Sequence, residues 1–148
     1  MRYFMKKFED LTNSQLYEML KLRQDIFIIE QACIYPELDN KDQGAYHLMA
    51  FDAQRMVGCL RILDRGVSYE EASIGRVVVS ESLRGKGIAK EMMQRALAFL
   101  KNERGEQGAR ISAQSYTIPF YQGVGFEVVS GEYDEDGIPH VEMFCDLK

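Results

Sequence analysis

The sequence has 148 residues, which is long enough for one domain with a substantial core. Hydrophobic residues make up 46% and charged residues 28% of it, a composition typical of globular proteins and not of disordered chains. The formal net charge of −5 argues against general nucleic-acid binding, and the apolar runs are too short to span a bilayer. We expect a single domain over residues 1–148, located in the cytoplasm, with neither nucleic acid nor membrane as a partner.

The three cysteines predict neither a disulfide framework nor a metal site. Cys33, Cys59 and Cys145 are scattered, odd in number and without the spacing of zinc ligands. We expect reduced cysteines that contribute to packing, and no metal cofactor.

The first half of the chain predicts one helix and four strands. Thr12 and Gln15 form a capping-box pattern, and apolar residues at helical spacing follow them. The predicted elements are a strand at 3–9, a helix at 13–29, a loop at 31–44 and strands at 46–52, 56–63 and 72–79.

The second half predicts two helices and three strands. A strongly amphipathic helix begins at Ile88, because its apolar residues fall on one face and its charged residues on the other. A strand at 109–114, a short helix at 119–122 and strands at 126–130 and 140–147 follow, the last two separated by an acidic loop at 132–137. The order of elements is typical of an α/β fold around one mixed sheet.

The segment from Arg84 to Ala89 predicts an anion site. It joins the apolar strand that ends at Val79 to the amphipathic helix, whose N-terminus offers unpaired N–H groups and a partial positive charge. Gly85 and Gly87 allow a ligand to approach the backbone closely. Between Arg76 and Arg95 there are five basic and two acidic residues, so the expected ligand is an anion, specifically a pyrophosphate.

Three familiar phosphate loops do not match this segment. A P-loop requires Ser or Thr after its lysine, whereas Gly87 follows Lys86. The dinucleotide fingerprint requires a glycine where Lys90 stands, and the catalytic-loop partner of a kinase is absent. A nucleotide hydrolase is therefore disfavoured.

Two motifs resemble those of the GNAT N-acetyltransferase family. Arg84-Gly85-Lys86-Gly87-Ile88-Ala89 resembles its Arg/Gln-x-x-Gly-x-Gly/Ala pattern, and Tyr121 with Gly125-Phe126 resembles its Tyr-x-x-x-Gly-Phe element. The two occur in the family's order and at roughly its separation. Three further stretches resemble the ElaA-type subgroup: 27–31, 73–79 and 135–140.

The resemblance implies the GNAT acyl-CoA N-acyltransferase fold, with a central mixed, mostly antiparallel sheet flanked by helices. It also implies acetyl-CoA as cosubstrate, with its pantetheine arm paired to the strand before the glycine loop. The next strand, at 111–114, is expected to splay away and open a cleft for the thioester. The cofactor-binding residues implied are Val77, Val78, Val79, Arg84, Gly85, Lys86, Gly87, Ile88, Ala89, Gln114 and Tyr121.

Tyr121 is the candidate general acid, because a phenol near the sulfur could protonate the departing thiolate. A structural interpretation, in which Tyr121 packs beside Phe120 and Phe126, stays open. The candidate bases for the attacking amine are Glu30, His140 and Glu142, among which the sequence does not decide. Cys33 as a nucleophile would need a nearby histidine, and direct transfer requires no acyl-enzyme.

The sequence thus predicts an N-acetyltransferase that acts on a primary amine of a small molecule or peptide. The alternative is a non-catalytic acyl-CoA-binding module, and the existence of a homodimer stays open. Acidic residues suggest a cationic acceptor, although ordinary solvated loops explain them slightly better: Glu37, Asp39, Asp42 and those from Glu132 to Asp136.

Overall fold

The strands form two antiparallel sheets that lie side by side and then diverge. The computed structural model describes all residues from 1 to 148. The first sheet has the order β1-β2-β3-β4, and its strands are β1 Arg2–Lys7, β2 Tyr46–Asp52, β3 Arg55–Leu63 and β4 Ser73–Val79. In the second sheet β8 is central, and the strands are β5 Gly108–Gln114, β6 Glu127–Val128, β7 Tyr133–Glu135 and β8 Ile138–Asp146.

The two sheets meet at one point. Ala72 and Ala109 form an isolated parallel bridge, and the Arg110 N–H donates to the Ala72 carbonyl at 2.9 Å. No ladder continues from there, so β4 and β5 separate towards Val79 and Gln114. The expected mostly antiparallel architecture and the splaying of β5 are confirmed.

The first helical segment begins as predicted. Thr12 Oγ1 accepts from the Gln15 N–H at 3.0 Å, and Gln15 Oε1 accepts from the Thr12 N–H at 3.0 Å, which completes the capping box. Helix α1 spans Asn13–Arg23 and continues as a π-helical segment over Gln24–Glu30. The π-helical geometry, which sequence periodicity does not reveal, brings the helix end to the cleft between the sheets.

Helices α1 and α2 cover opposite faces of the first sheet. Helix α2, Ile88–Ala98, buries Met92, Met93 and Ala96 completely in a core cluster that includes residues of both sheets. Helix α1 packs Met19 into a smaller cluster on the other face. Burying one such side chain contributes about 1.5–3 kcal/mol, so these two clusters fix both helices on the sheet. None of the helices is long and apolar enough to cross a bilayer.

The C-terminal region differs from the prediction. Helix α3 spans Ile118–Gly123, and the strand expected at 126–130 is reduced to the two residues of β6. The expected acidic loop is wrong, because β7 pairs with β8 across a tight turn at Asp136 and Gly137. Both turn residues have positive φ, 53° and 81°, which fits the Asp-Gly preference of a type I′ hairpin. The Asp136-Gly137 dipeptide indicates such a hairpin, and the prediction of an acidic loop did not take it into account.

A buried ionic network joins α1 to the loop that follows it. Arg23 is 1% exposed, and it donates to Glu37 at 2.8 Å and to Asp42 at 2.9 Å. Arg61 on β3 pairs with Asp42 at 3.2 Å and with Asp39.

Arg76 on β4 completes this network. Its Nη2 donates to the Glu37 carbonyl at 2.9 Å and to Asp39 at 3.3 Å. The carboxylates of Glu37, Asp39 and Asp42 therefore lie in ion pairs. The interpretation of these three residues as parts of ordinary solvated loops is wrong.

We predict that Arg23→Ala destabilises the fold by about 3–5 kcal/mol, because it removes the buried cation that Glu37 and Asp42 share and leaves each of these carboxylates with one arginine partner. Urea unfolding measures the loss. The matched control is Lys21→Ala on the same helix, since Lys21 pairs with Asp25 in solvent at 2.7 Å. Equal unfolding midpoints for the two variants would contradict the importance of the network.

The network also predicts acid sensitivity. Burial alone would raise the pKa of Asp42, but hydrogen bonds from Arg23 outweigh it and hold that pKa below its usual value. For Asp39, burial is likewise outweighed by the hydrogen bonds from Arg61, which lower its pKa. A carboxyl whose folded pKa is depressed contributes stability above its unfolded pKa of about 4 and loses it as the pH falls further. The free energy of unfolding should therefore fall below about pH 4, and Asp39→Asn should flatten that dependence.

Candidate active site

The divergence of β4 and β5 opens a cavity of about 550 Å³. This volume lies within the usual range for small-molecule sites. Its lining includes Val77 on β4, Gln114 at the end of β5, Tyr121 on α3 and His140 on β8. The fold therefore gathers four residues singled out in the sequence around one cleft.

A β-bulge shapes the β4 wall of this cavity. Gly75 lies opposite Arg61 and Val78 opposite Cys59, so two residues of β4, Arg76 and Val77, face the single Leu60. Arg76 adopts a left-handed conformation with φ 52°, which is uncommon for a residue other than glycine. The bulge turns the strand and directs its free edge into the cleft.

The three valines of β4 differ in what they offer a ligand. The Ser80 N–H donates to the Val57 carbonyl at 2.7 Å, so the backbone groups of Ser80 point towards β3. By strand alternation those of Val78 also point to β3, while those of Val79 point away from it. The Val78 side chain is 4% exposed and packs in the smaller core cluster. Val78 thus has a structural place, the backbone groups of Val79 lie at the free edge, and Val77 lines the cavity within the bulge.

The glycine loop has the geometry of an anion site. Gly85 and Gly87 have φ of 77° and 81°, and Gly87 is the N-cap of α2. The N–H groups from Gly85 to Lys90 donate to no backbone carbonyl, and no side chain caps the helix. Lys86 is exposed, and Ile88 anchors the loop in the core. Several donors and the positive end of the helix dipole therefore face one region of solvent.

Arg84 is held by an ion pair with Glu30. Its Nη1 and Nη2 donate to the Glu30 carboxylate at 2.7 and 2.9 Å. Its Nε donates to the Val79 carbonyl at 3.1 Å. The hydrogen bonds from Arg84 lower the pKa of Glu30, which makes this carboxylate a weak base. The end of the first helical segment is thereby connected to the glycine loop.

Tyr121 lines the cavity and packs against two aromatic rings. Its ring lies 5.0 Å from Phe120 and 5.9 Å from Phe126, both in edge-to-face geometry. Burial, together with the neighbouring Tyr116, raises the pKa of Tyr121 to about 12. The phenol therefore keeps its proton at neutral pH. The packing interpretation and the catalytic one are compatible, because the rings fix the phenol at the cavity wall.

His140 is buried, and each of its ring nitrogens lies near an oxygen atom. Nδ1 lies 2.7 Å from the Ile138 carbonyl, so it carries a proton and donates. Nε2 lies 3.2 Å from Glu135 across the β7–β8 hairpin, and Tyr133 stacks on the ring at 6.2 Å. The hairpin that the sequence prediction missed is what orients this histidine.

Three other candidates have different surroundings. Gln114 Nε2 donates to Gln31 Oε1 at 3.2 Å, a second contact between the end of the first helical segment and the cleft. Glu142 pairs with Arg110 at 3.3 Å and does not line the cavity. Cys33 lines it, but its thiol donates to the Asp136 carbonyl at 3.4 Å.

The sequence prediction missed several lining residues. Besides Glu135, they include Lys41, Arg61, Tyr69 and Arg76. They come from three strands and two loops, and no local spacing relates them. Their common feature is visible only once the sheets are assembled.

Residues 14–147 match the family model of an acetyltransferase (GNAT) domain. The chain is 36% identical over 136 residues to protein ElaA of Escherichia coli, covering 90% of this chain and 89% of ElaA. The chain therefore belongs to the GNAT acetyltransferase family. Within the family, ElaA and the proteins called UPF0039 are its relatives, among them one of Schizosaccharomyces pombe with 37% identity over 99% of this chain and 98% of that protein.

Solved structures agree with this assignment. An acyl-CoA N-acyltransferase from Pseudomonas aeruginosa superposes with a TM-score of 0.91 at 35% identity, covering 98% of this chain and 99% of that one. Escherichia coli ElaA superposes with a TM-score of 0.91 at 33% identity, covering 99% of this chain and all of the other. The fold and the ElaA-type resemblance expected from the motifs are confirmed.

We predict that Glu30→Gln strengthens CoA binding by about twofold to tenfold, because it removes a negative charge beside the expected pyrophosphate seat and frees Arg84. Calorimetric titration with CoA measures the effect. Glu103→Gln, an exposed substitution beyond the far end of α2, is the matched control. A collapse of turnover at saturating CoA with affinity unchanged would instead identify Glu30 as the base.

Proposed function

We propose that this protein transfers an acetyl group from acetyl-CoA directly to a primary amine, with Tyr121 as proton donor to the CoA thiolate. The observation that carries the proposal is the position of the cleft. It lies between β4, which leads into the loop of unpaired N–H groups, and the partly buried Tyr121, an arrangement suited to transfer from a CoA thioester. Family membership supports acyl transfer in general. We propose in addition that the acyl group is acetyl and that the acceptor is a primary amine.

The seat of the donor consists mainly of backbone. N–H groups from Gly85 to Ala89 would bind the pyrophosphate, with charge from Arg84 and Lys86. The free edge of β4 at Val77 and Val79 would pair with the pantetheine amides, as an added strand does. The Val79 carbonyl already accepts from Arg84, so binding requires this arginine to share or release that contact.

The chemical step needs one proton removed and one supplied. The neutral amine attacks the thioester carbonyl, the C–S bond breaks, and the thiolate takes a proton from Tyr121. The surplus proton on the nitrogen then restores the phenol directly or through a base. With a pKa of about 12, Tyr121 is a weak acid, so its main contribution is a strong hydrogen bond to the sulfur as negative charge develops there.

His140 is the base that the geometry favours. It lines the same cavity as Tyr121, whereas Glu30 is paired with Arg84 and Glu142 lies outside. With Nδ1 donating to Ile138, the neutral ring has its lone pair on Nε2. Glu135 would stabilise the imidazolium that forms when this atom takes a proton.

We predict that Tyr121→Phe lowers kcat at least tenfold and leaves CoA affinity within about twofold, because only the proton donor is lost. Thiol release from acetyl-CoA across a panel of amines measures turnover, and calorimetry measures binding. Tyr17→Phe, an exposed substitution on α1, is the control. Unchanged kcat in the Tyr121 variant would remove its role.

The rival function is a non-catalytic acyl-CoA-binding module. It shares the donor seat and differs only in the absence of turnover. Tight binding of CoA combined with no thiol release from any amine would favour it over the enzyme.

A further inference from the structure

We propose that the acceptor amine carries an anionic group, a carboxylate or a phosphate, and that Lys41 and Arg76 bind this group. The inference rests on the proposed function, because it concerns the acceptor side of the same cavity. It replaces the cationic acceptor that the acidic residues of the sequence suggested.

The acidic residues near the first sheet do not leave negative charge for a cation. Asp39 lines the cavity, but it accepts two hydrogen bonds from Arg61, at 2.7 and 2.5 Å, and one from Arg76. Glu37 and Asp42 are both bound by Arg23. A cationic substrate at this end would have to displace a buried arginine.

The uncompensated charge at this end of the cavity is positive. Three carboxylates at this end are paired with three arginines: Glu37, Asp39 and Asp42 with Arg23, Arg61 and Arg76. Lys41 is a fourth cation and has no carboxylate partner, since its Nζ donates only to Ser68 Oγ at 2.9 Å. Arg76 is 20% exposed and uses Nε and Nη2 in its ion pairs, while Nη1 has no partner in the protein. Both side chains line the cavity, so Lys41 and Arg76 offer donors to an anion there.

The second sheet supplies the opposite charge. Glu135 is 48% exposed and lines the cavity beside His140, with its turn neighbour Asp136. The cavity therefore has a cationic side on the first sheet and an acidic side on the β7–β8 hairpin. A molecule with an amine and an anion, such as an amino acid, matches both, with its nitrogen directed to the proposed base.

Binding and turnover are compared for amines in pairs that differ only in the anion. The carboxylate arm uses each common amino acid and its decarboxylated amine, and the phosphate arm uses phosphoethanolamine and ethanolamine. Calorimetry on the CoA-bound protein measures affinity, and thiol release from acetyl-CoA measures kcat/KM. In at least one arm the anionic member should bind about tenfold or more tightly than its partner.

Variants at Lys41 assign the effect to the site. Lys41→Met should weaken the anionic member about tenfold and change its uncharged partner less than twofold, and Lys41→Arg should restore binding. Lys101→Met, an exposed lysine outside the cavity, is the control.

The possible outcomes test the anion site and the proposed enzyme separately. Equal affinities within every pair, or equal losses for both members in Lys41→Met, would overturn the proposed anion site even if other amines are acetylated. Binding of the anionic member that depends on Lys41, without thiol release from any amine, would support the site and contradict the proposed enzyme.

Discussion

The first-sheet side of the cavity depends on one constraint, the buried ionic network of Arg23, Glu37, Asp39, Asp42, Arg61 and Arg76. Buried ion pairs often contribute little net stability, because desolvation offsets their attraction, but breaking one leaves an uncompensated charge. Here the pairs join α1, the following loop, β3 and β4. The loop has little regular structure of its own, so its position is determined by these side chains.

The same network explains why Arg76 tolerates its unusual backbone. A left-handed arginine in a strand is unfavourable unless its surroundings hold it there. The guanidinium is bound by Glu37 and Asp39 and lies 5.5 Å from the Tyr35 ring centre, so its direction is fixed by three partners. The bulge that turns the β4 edge into the cleft is thus stabilised by the ionic network.

The glycine loop that we propose as the donor seat could be predicted from sequence, whereas the proposed acceptor wall could not, for a physical reason. An anion site made of backbone N–H groups needs closely spaced glycines at a helix start, and the segment from Arg84 to Ala89 shows that pattern directly. The capping box at Thr12, the amphipathic α2 and strands β2 to β5 were likewise predictable, since each depends on local periodicity or capping.

The acceptor wall depends on residues far apart in the chain. Arg23 falls at helical spacing with Met19 and Phe27, but only the assembled sheets show that it is buried between Glu37 and Asp42. His140 was a candidate base from its residue type alone, and its partner Glu135 became visible only with the hairpin. Charges listed along a sequence do not reveal which of them neutralise each other.

The single bridge between Ala72 and Ala109 has a consequence for how ligands enter and leave. Both alanines are fully buried, and beyond them no backbone ladder joins β4 to β5. At the far end, the contacts Glu30–Arg84 and Gln31–Gln114 connect the two sides of the cleft through the end of the first helical segment. A ligand that enters between the strands therefore has to break only an exposed ion pair and a half-buried hydrogen bond there, and no backbone hydrogen bonds of a sheet.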